Sequence, residues 1–231
     1  MFFLPVILLF LVFYFFLLGG LFFFLKIGLI SLAFQRLGLP PDLVFALLLL
    51  SLVGSGLNIP LKRIQSENLL PEQVVEFFGW KFRIPAAADS QSTVLAVNLG
   101  GAVIPGLLSL YLIWRWFSLI VLFIVATAVV TVLVNRVARP VRGLGIATPA
   151  LFPPLVAALV SLLLSAFSPA GLQTAPVLAY VSGTLGTLVG ADLLNLKKIA
   201  DLGAPVASIG GAGTFDGVFL TGIIAVILTS I

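Results

Sequence analysis

Two aspartates, Asp192 and Asp216, are the residues of this chain best suited to chemistry, because both lie inside long apolar stretches. A charged side chain at the centre of a bilayer costs roughly 2.5–3.5 kcal/mol on insertion scales, so such residues are rare and usually functional. Two facing carboxylates in a low-dielectric setting cannot both ionise, so one holds a proton while the other accepts one. Such a pair activates water and protonates a leaving amine, or it binds and releases a proton or cation.

The rest of the composition excludes most other chemistry. The chain has no cysteine and no histidine, which removes disulfides, thiol nucleophiles, imidazole acid–base catalysis, and thiolate or imidazole metal ligands. We therefore expect neither a metal ion nor a cofactor. The formal charge is only +4, and the basic residues flank apolar stretches instead of forming a block, so we expect no nucleic-acid partner.

The elements that must position the two acids are membrane-spanning helices. Of the 231 residues, 61% are hydrophobic and 9% are charged, with a mean hydropathy of +1.28, which is typical of a polytopic membrane protein. A spanning helix needs about 20 apolar residues. We predict an all-α fold, a single transmembrane domain over residues 1–231 embedded in the lipid bilayer. Its seven candidate spans are residues 2–25, 41–58, 92–113, 115–134, 149–168, 174–196 and 205–230.

Two further segments connect the spans. Residues 27–39 have an amphipathic pattern, which predicts an interfacial helix. Residues 61–92 predict a cytoplasmic connector that is too short for a core of its own. Within the connector, Trp80 to Ile84 alternate apolar and basic residues, which predicts a strand. That strand either anchors the connector at the membrane surface or pairs with an extended substrate peptide.

Basic residues fall unequally on the two sides of seven alternating spans. Nine lie on the side of the amino terminus and three on the other, which favours a cytoplasmic amino terminus and a carboxyl terminus outside. The nine are Lys62, Arg63, Lys81, Arg83, Arg136, Arg139, Arg142, Lys197 and Lys198, and the three are Lys26, Arg36 and Arg115.

Glycine and proline predict breaks in the third and seventh spans. The third contains Asn98–Gly106, in which Pro105 lacks an amide donor and clashes with the preceding turn. The seventh contains five glycines between residues 203 and 217. We therefore expect both helices to be irregular or interrupted.

The break in the seventh span decides whether the two acids meet. We prefer an irregular start followed by a helix that begins near Thr214 as its N-cap, because Asp216 then lies in the first turn, where the helix dipole favours a carboxylate. Both acids would then lie near the cytoplasmic leaflet. We predict Asp192 and Asp216 as catalytic residues, and Asn98, Gly213 and Thr214 as substrate-binding residues.

Small residues line one face of the sixth span. Gly183, Gly186, Thr187 and Gly190 have the spacing that lets another helix approach closely. Asp192 lies about 200° around an ideal helix from Gly190, on the opposite face. A helix that packs on one side and carries a carboxylate on the other is predicted to lie centrally in the bundle.

Four stretches, VNLGGAVIP, GIATPALFPP, GTLGTLVGADLLNL and ASIGGAGTFDGVFLTGI, resemble an uncharacterised family of prokaryotic multi-pass membrane proteins, known as a domain of unknown function. The resemblance covers most of the chain after the first span. It implies a protein of the prokaryotic plasma membrane and brings no activity with it.

The chain is also similar, more weakly, to intramembrane aspartyl proteases of the presenilin, signal-peptide-peptidase and prepilin-peptidase type. Those enzymes place one aspartate in a helix and the second in a Gly-x-Gly-Asp motif of another. The resemblance implies that Asp192 matches the first and Asp216 the second. The chain departs from the pattern, because Thr214 and Phe215 separate Gly211-Ala212-Gly213 from Asp216.

Three functions remain open. An intramembrane di-aspartyl peptidase acting on a peptide or membrane-protein substrate requires the two carboxyls to approach within about 6 Å. A proton- or cation-coupled transporter is indicated by Asn98-Leu-Gly-Gly-Ala and Ser208-Ile-Gly-Gly-Ala, which recur 110 residues apart in two interrupted spans. A structural or accessory subunit needs the aspartates only for packing. The oligomeric state stays open.

Overall fold

The computed structural model describes residues 15, 28, 31–65, 73–77, 80–84, 92–141, 145–202, 206–211 and 217–230. The predicted first span, residues 2–25, lies outside this part except for Phe15. Residues 31–36 are helical, and the interfacial position predicted for residues 27–39 stays a prediction. Parts of the predicted connector, including residues 66–72 and 85–91, also lie outside the described residues.

Six helices follow within this part of the chain. They are α1 (Pro41–Ser55), α2 (Ile104–Arg115), α3 (Ile120–Val137), α4 (Phe152–Ser165), α5 (Ala175–Thr187) and α6 (Gly217–Thr229). A proline stands in the first turn of α1, α2, α4 and α5, where its missing N–H costs no intrahelical hydrogen bond. Two π-helical turns adjoin these helices: Leu99–Val103 precedes α2, and Leu188–Asp192 continues α5 into the 3₁₀ helix Leu193–Leu202.

The described strands form a three-stranded sheet and two hairpins. The sheet has the order β1 (Asn58–Gln65), β4 (Ser92–Asn98), β7 (Val206–Ile209). β1 pairs antiparallel with β4, and β7 pairs parallel with it. The hairpins are β2 (Gln73–Phe77) with β3 (Trp80–Ile84), and β5 (Arg139–Val141) with β6 (Gly145–Ala147). The strand predicted at Trp80 to Ile84 is thereby confirmed.

The sheet corrects the predicted all-α class. The chain is mostly helical, but the third and seventh predicted spans each begin as a strand, β4 and β7. Both strands are short, apolar and rich in β-branched residues, such as Val94, Val97 and Val206, which favour a pleated surface. A length of apolar sequence does not by itself distinguish a short buried strand from the start of a helix. The seventh span is interrupted as predicted, whereas the helix of the third span runs through Pro105, from Leu99 to Arg115, so the interruption there is at the end of β4 and not at the proline.

Helix α5 is the centre of the bundle, as its small residues predict. All of its residues except Leu185 are buried, and it contacts α2, α3, α4 and α6. A Cβ atom on Gly186 would lie 2.6 Å from Val130 of α3, and one on Gly183 would lie 3.2 Å from the Ala157 side chain of α4. These glycines therefore set the distance between α5 and its neighbours.

Two helical stretches in the described part are long and apolar enough to cross a membrane, Phe117–Val137 and Gly171–Lys198. The first has 21 residues. Its most apolar 18-residue stretch has a mean hydropathy of 2.9, and only 28% of that stretch is buried. Its outward side chains include Val121, 67% exposed, and Ile124, 61% exposed. A soluble protein rarely exposes large contiguous apolar surfaces, so these helices indicate membrane association. The apolar helices Leu99–Arg115, Phe152–Ser165 and Gly217–Thr229 are shorter.

Candidate functional site

The candidate site lies where the parallel strands β4 and β7 end. Val97 pairs with Ile209 in the register, so the Gly100–Gly101 and Gly210–Gly211 pairs follow their strands at the same edge of the sheet. We call this region the glycine junction and define it as residues 98–102, 192 and 208–211. The two similar sequences noted 110 residues apart are therefore neighbours in space.

The backbones of the two glycine pairs interlock. A Cβ atom on Gly101 would overlap the carbonyl oxygen of Gly210, and one on Gly210 would lie 2.5 Å from the Cβ of Ala102. A Cβ on Gly100 would overlap the carbonyl oxygen of Ser51 in α1. Gly210 also has a φ of 78°, a conformation that residues with a side chain rarely adopt. Glycine is therefore required where the seventh span breaks.

Asn98 ties the end of β4 to its surroundings. Its side chain is fully buried, and its Nδ2 donates to the Ser55 carbonyl oxygen at 2.7 Å and to Asn58 Oδ1 at 3.1 Å. Its Oδ1 accepts the Gly101 N–H at 2.7 Å and so caps the first π-turn. Ser208 of β7 donates to the same Asn58 oxygen at 2.6 Å. Asn98 thus holds the junction together, and its role toward a substrate stays a prediction.

Asp192 is the last residue of the second π-turn and is half-buried. Its Oδ2 accepts the N–H of Gly210 at 2.8 Å. Gly210 is the first residue after β7, so the carboxylate reaches from the end of the sixth span to the break in the seventh.

Two asparagines that we did not predict as site residues hold the π-turn that carries Asp192. Asn135 Nδ2 of α3 donates to the Gly190 carbonyl oxygen at 2.9 Å. Asn195 Nδ2 donates to the same oxygen at 3.2 Å and to the Ala191 oxygen at 2.8 Å. The sequence signal for both residues is an amide side chain near the end of an apolar helix. Polar side chains in such helices link neighbouring helices by hydrogen bonds.

Three predicted site residues, Gly213, Thr214 and Asp216, lie outside the described residues. The separation of the Asp192 and Asp216 carboxyls therefore stays a prediction, as does the cap at Thr214. Helix α6 begins at Gly217, directly after Asp216 in the sequence. What the structure brings together is Asp192, the Gly210 amide and, through Gly101 and Ala102, the turn capped by Asn98.

Comparison with known proteins identifies one family. A family model described as "Protein of unknown function (DUF1614)" matches residues 52–228. No curated protein and no solved structure matches the chain. The resemblance to a domain of unknown function is confirmed by the family match, whereas none of these comparisons supports the resemblance to aspartyl proteases.

Proposed function

Because the chain belongs to the DUF1614 family, which carries no known activity, we propose its function from the site itself: a multi-pass membrane protein that hydrolyses peptide bonds with Asp192 and Asp216. The observation that carries this proposal is the hydrogen bond between Asp192 Oδ2 and the Gly210 N–H. This hydrogen bond fixes the Asp192 carboxylate against the segment that leads along the chain to Asp216.

The membrane part of the proposal rests on apolar surfaces and charge. Phe117–Val137, at 1.5 Å per residue, is about 31 Å long and matches the hydrocarbon core of a bilayer. The outward faces of α4 and α2 are also apolar, with Leu163 at 71% and Leu107 at 60% exposed. Together with the uneven basic residues, these surfaces support several spans, a cytoplasmic amino terminus and a carboxyl terminus outside.

The acid pair is supported by the break in the seventh span. If that span were one continuous helix, Asp216 would lie near the middle of the bilayer, away from the end of the sixth span. β7 and the turn at Gly210 replace the first part of that helix, and residues from Gly217 onward are helical. This interruption supports the arrangement in which both carboxylates lie near the cytoplasmic leaflet.

The chemistry follows from one shared proton. The ionised carboxylate accepts a proton from water, whose oxygen attacks the scissile carbonyl carbon and forms a new C–O bond. The protonated carboxyl donates its proton to the leaving nitrogen as the C–N bond breaks, giving a carboxylic acid and an amine. One carboxyl of the pair acts as the base and the other as the acid, and the hydrogen bond from the Gly210 N–H holds the Asp192 carboxyl in place for either role.

Cross-linking tests whether the two acids meet. The natural chain has no cysteine, so the Asp192→Cys/Asp216→Cys variant carries the only two thiols. If the two carboxyls lie within about 6 Å of each other, the cysteines that replace them are equally close. We then expect a short bifunctional thiosulfonate to join the two cysteines within the membrane-embedded protein. The matched control pairs Asp216→Cys with Leu163→Cys, on the exposed face of α4. Efficient cross-linking of the control together with none at 192/216 would overturn the proposal.

Ion-coupled transport is the second candidate, and one observation favours it. Two strand–glycine–helix units, β4 to α2 and β7 to α6, lie side by side with parallel strands, and paired interrupted helices form the substrate sites of many transporters. In proteoliposomes containing a pH-sensitive or a sodium-sensitive dye, transport predicts proton or sodium flux that Asp216→Asn abolishes. Flux combined with a failed 192/216 cross-link would favour transport over hydrolysis. If Asp192→Asn and Asp216→Asn both match wild type in this flux assay and in peptide hydrolysis, the aspartates act in packing alone.

A further inference from the structure

The turn that carries Asp192 is a π-helical turn between an α-helix and a 3₁₀ helix. Leu188–Asp192 makes i→i+5 hydrogen bonds between α5 and the following 3₁₀ helix. Such a turn contains one residue more than an α-helical turn, and it is usually found where a functional site requires it. The extra residue leaves backbone carbonyl groups without their regular intrahelical donors, and a buried carbonyl without a donor is costly.

Side-chain amides donate to carbonyl groups of this turn from two directions. Asn135 reaches Gly190 from α3, and Asn195 reaches Gly190 and Ala191 from the 3₁₀ helix. Lys198 Nζ donates to Asn195 Oδ1 at 2.8 Å, which orients that amide so that its Nδ2 faces the turn. Gly190 also leaves no room for a side chain, since a Cβ there would lie 2.6 Å from the Thr131 carbonyl oxygen of α3.

We propose that Asn135 and Asn195 are positioning residues, which stabilise the π-turn and thereby aim the Asp192 carboxylate at Gly210. The inference rests on the proposed function, because it names what places one member of the acid pair. If the turn reverted to an α-helix, every residue after it would rotate by about 100° around the axis. Asp192 would then turn away from Gly210, and Leu196 would leave its contact with Ala207 of β7.

A cross-link that does not involve the acids measures this rotation. In the cysteine-free chain, the Leu196→Cys/Ala207→Cys pair reports the contact after the turn. We expect Asn135→Leu, which keeps the size of the side chain but removes the donor, to shift the equilibrium between π-turn and α-helix about fivefold toward the α-helix, the factor expected for one lost hydrogen bond, and so to lower the cross-linking rate by up to that factor. Asn135→Gln, which keeps an amide, should restore part of the rate. Asn195→Leu is the second variant and should act in the same direction.

Two controls separate positioning from general loss of structure. Ser161→Cys/Ser182→Cys joins α4 to α5 before the turn, where the two hydroxyl oxygens are 3.3 Å apart, and its cross-linking should be unchanged by Asn135→Leu. Thr131→Val, one turn earlier on α3, should leave both pairs unchanged. An unaltered 196/207 rate in both asparagine variants overturns the inference. If the asparagine variants lower the 196/207 rate, the inference is supported. If in addition residues 192 and 216 cross-link neither with nor without these substitutions, the proposed function is wrong while the inference stands.

Discussion

At the scale of single residues, the glycine junction is held by groups that allow almost no substitution. Gly101 and Gly210 touch backbone to backbone, and Asn98 satisfies groups from α1, β1 and the first π-turn. The sequence indicated the glycines as a break but not their contact, because the parallel pairing of β4 with β7 joins residues more than 100 positions apart. The apolar residues around Asp192 in the sequence are the reason it was predicted as a site residue.

Substitution of the interlocking glycines is expected to destabilise the protein. Gly101→Ala and Gly210→Ala should each lower the free energy of unfolding by about 1–3 kcal/mol, because the added methyl group overlaps packed atoms. Gly106→Ala is the matched control, since nothing lies within 4 Å of a Cβ at that position in α2. It should be neutral or stabilise by about 0.5–1 kcal/mol. Unfolding in mixed micelles, followed by circular dichroism, measures all three, and equal stabilities would contradict the interlocked arrangement.

The amide of Asn98 offers a second test at this scale. Asn98→Asp keeps the oxygen that caps Gly101 but replaces the donor to Ser55 and Asn58 with a charged acceptor. A buried carboxylate facing two oxygens should cost more than Asn98→Ser, which loses the donor without adding charge. We expect the aspartate variant to have the lower thermal midpoint of the two. The reverse order would mean that the amide donates to neither oxygen.

At the scale of elements, the sequence predicted the helices better than the strands. Apolar length located α3, α4 and α5, and the small residues of α5 predicted its central place. β4 and β7 were predicted as helix because their apolar residues continue into a helix without a polar boundary. The partner of Asn135 could not be predicted, since Gly190 lies on another helix 55 positions away.

The contact between α5 and α3 makes a prediction that depends on which atoms touch. Gly186→Ala places a methyl group 2.6 Å from Cγ1 and 2.7 Å from Cβ of Val130, so Val130→Gly, which removes both atoms, should make room and partly restore stability. Gly190→Ala meets the Thr131 backbone instead, at 2.6 Å, so truncating the Thr131 side chain should not restore it. Two double-mutant cycles of unfolding free energy compare these pairs. A coupling of about 1 kcal/mol is expected for 186/130 and none for 190/131.

At the scale of the whole molecule, the apolar helices enclose the irregular backbone of the glycine junction. The central helix carries its buried small residues over most of its length and presents Asp192 where α5 meets the sheet. Irregular backbone at membrane depth is tolerated where it is buried in protein or lines a water-filled cavity. The interlocked glycines, covered by α1 on one side and reached by Asp192 on the other, meet that condition.

Thiol labelling of intact cells tests the arrangement of the whole molecule in the membrane. Single cysteines at Arg139, in β5, and at Lys197, in the 3₁₀ helix, should react with a membrane-impermeant maleimide only after the cells are permeabilised, because the proposed topology places the basic side in the cytoplasm. A cysteine at Arg115, at the end of α2, should react in intact cells. Ile124→Cys, on the apolar face of α3, is the control that should stay unlabelled in both. Labelling of residues 115 and 139 from the same side would contradict a membrane crossing by α3, the helix that connects them.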